Sequence, residues 1–269
     1  MLGLIVIGLG AKSIKNMVDY DRNISKAECI NIKTFNKLGE AENELNKQKE
    51  KTEKSLIRLA NRKKGILSTS IKNFIDLYSQ IIKVNFKEGE GIKELSKSQF
   101  SLSVVKDIKR MINVASENLD TKQTVMTMVT KWGITGVISK EAEIDVATAQ
   151  MRKKQANVIK SQLKIEYTAL DAIYQRADRI TNVLTKLNIL FLKSIVNTKN
   201  IIEKNGMDRR NYSKHERESI QLCMNFASTI KIILDTPLLD DDGKIMEQTL
   251  NAIEIGESYL EKINNQMNS

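Results

Sequence analysis

One proline in 269 residues, Pro237, is the strongest constraint on this chain. Sandwiches, barrels and doubly wound sheets turn at many corners, and those corners draw on Pro and Gly. With a single Pro and 12 Gly, such folds lack their turn chemistry. The hydrophobic content of 41% still builds a core, and the 28% of charged residues matches long amphipathic helices rather than disorder. The expected fold is all-α: an elongated bundle of about five helices, two of them very long, with coiled-coil-like packing.

Two long helical patterns carry that expectation. Over residues 13–84, Phe35, Leu38, Leu45, Leu56, Leu59 and Ile66 fall on one stripe of three-four spacing. Ile71, Phe74, Ile75, Tyr78 and Ile82 extend the same face. Residues 46–55 (NKQKEKTEKS) hold no apolar side chain, so this stretch is expected to bridge two packed regions or to loop out. Gly39 and Gly65 are the expected bends of this first long helical pattern. Over residues 139–204, the positions Ala156, Ile159, Leu163, Glu166, Leu170, Ile173, Ala177, Ile180, Leu184, Leu187 and Phe191 form a heptad seam broken only by Glu166. Val183, Ile189, Leu190, Leu192, Ile195 and Val196 widen the stripe, which implies more than one neighbouring helix there.

Shorter elements fill the rest. Residues 86–99 read as a connection with Gly89 and Gly91 as breakers. A helix over 101–119 turns Leu102, Val105, Ile108, Ile112 and Ala115 inward. Gly206 sits where helices favour a left-handed cap. Ser213 and Glu216 form a capping box that opens a helix carrying Ile220, Met224, Ala227, Ile230 and Leu234. Pro237 ends that helix at Thr236, residues 238–243 turn, and a last helix carries Ile245, Leu250, Ile253, Leu260 and Ile263. Two regions follow from this order. Residues 1–138 form a basic helical region with apolar tip segments, and residues 139–269 form a long spine helix with a C-terminal bundle.

Catalytic and metal chemistry find little to work with. His215 is the one histidine, which removes multi-His metal sites. Cys29 and Cys223 stand far apart with no CxxC, and two thiols fit a reducing, cytoplasmic setting. Neither a GxGxxG opening a helix nor a GxxxxGK[ST] loop is present. No cofactor, metal or catalytic residue is expected, and the chain reads as a non-enzyme. Asp240, Asp241, Asp242 and Gly243 lack the alternating spacing of a calcium loop and read as a solvated turn. Cys223 reads as a small core residue and His215 as an exposed one.

The charge is uneven. Residues 1–138 hold 24 Lys and Arg against 15 Asp and Glu, an excess of nine out of the total of +10. The basic face is expected at Arg62, Lys63, Lys64, Lys106, Lys109 and Arg110. Two apolar, glycine-containing segments lie in the same half. Residues 2–11 (LGLIVIGLGA) are uncharged and too short to span a bilayer, since ten helical residues rise about 15 Å. Residues 125–138 (VMTMVTKWGITGVI) include Trp132 beside Lys131, a pairing suited to a membrane interface. Leu4, Ile5, Val6, Ile7, Leu9, Met128, Trp132 and Ile134 are therefore the expected lipid- or partner-contacting residues. An antiparallel pair of long helices would put the two segments at opposite ends, unless the first helix folds back near Gly39 or residues 46–55.

The stretches STSIKNFIDLYSQI (68–81), ITNVLTKLNILFLKSI (180–195) and IKIILDTPLLDDDGKI (230–245) resemble a group of uncharacterised bacterial helical proteins sometimes labelled chemotaxis proteins. The resemblance implies a basic long helix, a glycine-rich apolar centre, a second long helix and two short ones, with no catalytic residues. Here the glycine-rich centre is reduced to residues 125–138. The expected function is that of a non-enzymatic, elongated helical protein at a membrane surface, peripheral at its inner face, or of an oligomeric scaffold. Its partner is expected to be an anionic membrane or a protein, with a homo-oligomer also compatible. A nucleic-acid-associated structural protein and a helical pore-forming effector use the same features, although the basic stretches lack the aromatic interleaving of nucleic-acid grooves.

Overall fold

The structure, a computed structural model, describes residues 28–116, 155–240 and 245–268. Helix α1 (Glu28–Ile66) runs through a π-helical turn (Leu67–Ile71) into α2 (Lys72–Ile81) and a closing 3-10 turn (Ile82–Val84). Then come α3 (Ile92–Gln99), α4 (Leu102–Ser116), α5 (Gln155–Asn205), a 3-10 turn (Arg209–Asn211), α6 (Lys214–Asp235) and α7 (Gln248–Asn268). Among the described residues there is no strand, only one isolated bridge between Leu239 and Ile245. The all-α expectation holds. The α1–α2 rod, α3, α4, α5, α6 and α7 make six helical rods among the described residues, because the 86–99 connection itself contains α3.

The two long helices run parallel. Gln48 pairs with Asp171, Thr52 with Leu170, Arg58 with Asp178 and Ser70 with Asn188, so from 48 to 70 on one helix the partners advance from about 170 to 188 on the other. The antiparallel alternative is thereby excluded, and no fold-back near Gly39 is needed: α1 passes through Gly39 and Gly65 as one helix. At about 1.5 Å per residue, the 51 residues of α5 rise roughly 75 Å. Helix α4 turns back toward the starting end. Phe100, just before α4, stacks on Tyr78, whose hydroxyl donates to the Phe100 carbonyl. From there α4 passes back over the π-turn.

Residues 46–55 do not loop out; they join buried Leu45 to the main core that begins at Leu56, and they are themselves partly buried. They lie within α1, with Gln48, Thr52 and Ser55 buried at 4%, 2% and 0% exposure. From Leu45 the steps to 48, 52, 55 and 59 continue the three-four spacing with polar side chains in apolar places. Thr52 Oγ1 donates to the Leu170 carbonyl at 3.1 Å and Gln48 Nε2 to Asp171 Oδ1 at 3.2 Å, so the burial of these two is matched by hydrogen bonds, whereas Ser55 Oγ has no partner. Leu45, Leu163 and Leu170 are buried here as well, apart from the main core, which begins at Leu56 and Ile173.

The π-turn corrects the first stripe. Ser68 Oγ and Thr69 Oγ1 donate back to the Lys64 and Gly65 carbonyls, competing with the backbone ladder where the helix widens. Beyond it the inward positions are Phe74, Ile75, Leu77, Tyr78 and Ile81, while Ile82 is 52% exposed. Phe74 anchors this end, with ring centroids 5.2 Å from Phe100 and 5.6 Å from Phe191. In α4, Ile108, Ile112 and Ala115 are buried as expected, but Leu102 is 84% exposed, on the outer side of a first turn whose Val104 and Val105 pack on the core.

The remaining punctuation follows the local chemistry. Gly206 closes α5 at φ 66°, its N–H donating to the Ile202 carbonyl. The Ser213–Glu216 capping box opens α6, and extended Thr236 closes it before Pro237. Helix α7 packs close to its neighbours at Gly256. A Cβ there would stand 2.5 Å from Val183 Cγ1 and 2.8 Å from Ile233 Cδ1, whereas one at Gly39 meets nothing within 4 Å. Opposite outcomes follow for one chemical change. Gly256→Ala should lower stability by about 1–3 kcal/mol through overpacking, and Gly39→Ala should raise it by roughly 0.5–1 kcal/mol through helix propensity. Urea unfolding of the two variants checks both signs.

Candidate functional site

Because Pro237 stops α6, that helix ends with carbonyls that have no intrahelical donor. Lys63 of α1 meets them. Its Nζ donates to the Leu234 carbonyl at 3.1 Å and to the Thr236 carbonyl at 2.9 Å, and the residue is 1% exposed. A cation at a helix C-terminus also meets the negative end of the helix dipole. Asp235 lies beside it and forms an ion pair with Lys231 one turn back on α6. Asp107 of α4 is near enough to push the Asp235 carboxyl further up. One buried ammonium therefore ties α1 to the end of α6 at the place where α4 crosses.

Burial sets the protonation of this cluster. Loss of hydration lowers the Lys63 ammonium to about 8, against the opposing pull of Asp235. Burial raises the Asp235 carboxyl, while Lys231 and then Lys63 draw it down. A lysine near 8 is a nucleophile in some enzymes. Here Nζ is occupied by two carbonyl oxygens and shielded from solvent, leaving no approach for a substrate. The arrangement is a cap and a clamp.

This corrects the basic face. Arg62, Lys63 and Lys64 do not present three cations to one side, since Lys63 points into the core while Arg62 and Lys64 are half-buried on either side of it. Lys106, Lys109 and Arg110 are exposed on α4, with Arg110 3.0 Å from Asp107. Arg62 lies 34 residues beyond Glu28, about 50 Å along α1, so this group is far from the end where the long helices start. Leu4, Ile5, Val6, Ile7, Leu9, Met128, Trp132 and Ile134 lie outside the described residues. Cys223 is a fully buried core residue, and burial pushes its thiol up to about 11. His215 is exposed. Among the described residues, no cluster of His, Cys, Asp and Glu could hold a metal ion, and no helix is long and apolar enough to cross a membrane. No protein family, curated protein or solved structure matches the chain.

The clamp had a sequence signal. Lys63 falls four residues after Leu59 and three before Ile66, on the stripe itself, as Gln48 and Thr52 do further up. Reading the stripe by position rather than by polarity finds all three. Their partners on α6 and α5 carry no comparable signal.

The lysine makes stability depend on pH. Folded Lys63 releases its proton near 8 and the unfolded chain near 10.5, so between those values the unfolded chain holds more protons. The native state therefore gains relative to a Lys63→Met variant as pH rises through that window. The gain is on the order of 3 kcal/mol at most. Urea unfolding of both proteins at pH 7.5, 9 and 10.5 measures it, and a constant difference would show that Nζ is not desolvated.

Proposed function

We propose that this protein is a non-enzymatic, elongated helical scaffold that attaches to a membrane surface by the end at which its two long helices begin. The observation that carries the reading is the parallel direction of α1 and α5. Residues 12–27 separate the first apolar segment from α1, and residues 139–154 separate the second from α5, sixteen residues in each case. The sequence therefore leads from each apolar segment into the same end of the helix pair. Sixteen residues reach up to about 55 Å when extended, which is ample for both segments to meet one surface. The order apolar segment, spacer, long helix thus occurs twice along the chain.

Each segment suits the shallow, interfacial mode of attachment rather than spanning. Lys12 and Lys15 follow the first; Lys140 follows the second, and after the acids Glu141, Glu143 and Asp145 the spacer closes on Arg152, Lys153 and Lys154 just before α5. These cations lead into the end where the long helices begin, whereas Arg62 and Lys106 lie farther along the rod. Coiled-coil packing of α1 on α5, with Gln48 and Thr52 as register-setting polar residues, gives the scaffold its stiffness.

Flotation with vesicles tests the reading. The full chain should float with vesicles containing anionic lipid. Removal of residues 1–11, or replacement of Met128, Trp132 and Ile134 by Ser, should each reduce the bound fraction several-fold. Absence of the full chain from the floated fraction on both anionic and neutral vesicles would refute membrane attachment.

A further inference from the structure

Three large aliphatic side chains stand in the open on consecutive turns of α5: Ile189 at 52% exposure, Leu192 at 37% and Val196 at 59%. Their three-four spacing puts them on one face of the helix. It is the face turned away from Leu187 and Phe191, which are fully buried against α7 and α2. At 100° per residue, Lys186 and Lys193 border this ridge on one side and Lys199 on the other, all three exposed. Lys199 has Glu203 within 3.7 Å. Neither Lys186 nor Lys193 has a carboxylate partner among the described residues. The acids further down the same face are engaged by α1, Asp178 with Arg58 and Asp171 with Gln48.

We infer that this ridge is a second contact of the protein with an anionic lipid surface, an inference that rests on the membrane reading above. Aliphatic side chains in a row with lysines on both borders fit the interface of an anionic bilayer. The aliphatics enter the acyl boundary, while the lysine stems lie along it and hold their ammonium groups among the phosphates. A second copy fits less well, because a symmetric contact along the ridge sets one lysine border against another. Ile189 lies 34 residues beyond Gln155, about 50 Å along α5. Contact at both places lays the rod along the membrane instead of standing it on end.

Two substitution pairs in the full chain separate the parts of the ridge. Lys186→Gln with Lys193→Gln should weaken partitioning onto vesicles rich in anionic lipid by about thirtyfold. Ile189→Ser with Val196→Ser should weaken it at least about tenfold. Circular dichroism confirms that both variants remain folded, as expected for exposed positions. Insertion is read directly with Leu192→Trp in a Trp132→Phe background, whose emission should shift to the blue and be quenched by brominated lipid. If the unaltered chain binds vesicles while both pairs bind equally well and residue 192 shows no shift, the ridge inference is overturned and end attachment stands. If the unaltered chain does not bind at all, the membrane reading itself has failed. Concentration-dependent dimerisation abolished by either pair, without effect on vesicles, would assign the ridge to a second copy and overturn the inference.

Discussion

Everything in this structure depends on two long helices lying side by side in the same direction. A parallel pair cannot be closed by a short turn, because the chain leaves the first helix at the far end and must travel back before starting the second. The stretch between α2 and α5 makes that return, and its described parts, α3 and α4, are also packing elements. α4 covers the π-turn on the way, and its Asp107 approaches the end of α6. These described parts of the connection are therefore part of the core. Both ends of the pair acquire distinct characters: one receives the chain twice, and the other carries the bundle with α6 and α7.

Polar side chains hold the pair in register. Gln48, Thr52 and Ser55 interrupt an apolar stripe that would otherwise tolerate sliding, and two of them bond to fixed points on α5. Lys63 acts the same way across a greater sequence distance, using the carbonyls that Pro237 leaves exposed at the end of α6. A buried ammonium weakens the core below pH 8 relative to its neutral form, yet it fixes where one helix crosses another. The π-turn next to it, with Ser70 bonded to Asn188, adds a further fixed point.

These placements reshape the functional reading. A basic face built from Arg62, Lys63 and Lys64 would have favoured any polyanion along the rod, but the middle lysine is spent inside. What remains are separate basic stretches: those that flank the apolar segments, those exposed on α4 and those beside the ridge of α5. Two of the three accompany apolar side chains, which is why the proposed partner is a lipid surface rather than a nucleic-acid backbone.

Much was legible from the sequence because its signals are local. The proline and glycine counts excluded sheets. Gly206, the Ser213–Glu216 box and Thr236 before Pro237 marked helix ends through backbone chemistry that needs no distant partner. The seam from Leu163 to Phe191 followed from periodicity and is buried throughout except at half-buried Glu166. The readings that failed required knowledge of a neighbour. Residues 46–55 looked unburiable because their partners, Leu170 and Asp171, lie some 120 residues away. Lys63 looked exposed because charge alone does not reveal a helix end waiting for a donor. Ile82 and Leu102 carried the right residue type at positions that the π-turn and the approach of α4 leave uncovered. The sequence by itself determined the helices and their limits, since hydrogen bonds within four residues and side-chain period decide those. Only the tertiary structure decided that the long helices run parallel and which polar groups are buried, because direction and burial depend on partners that no local pattern specifies.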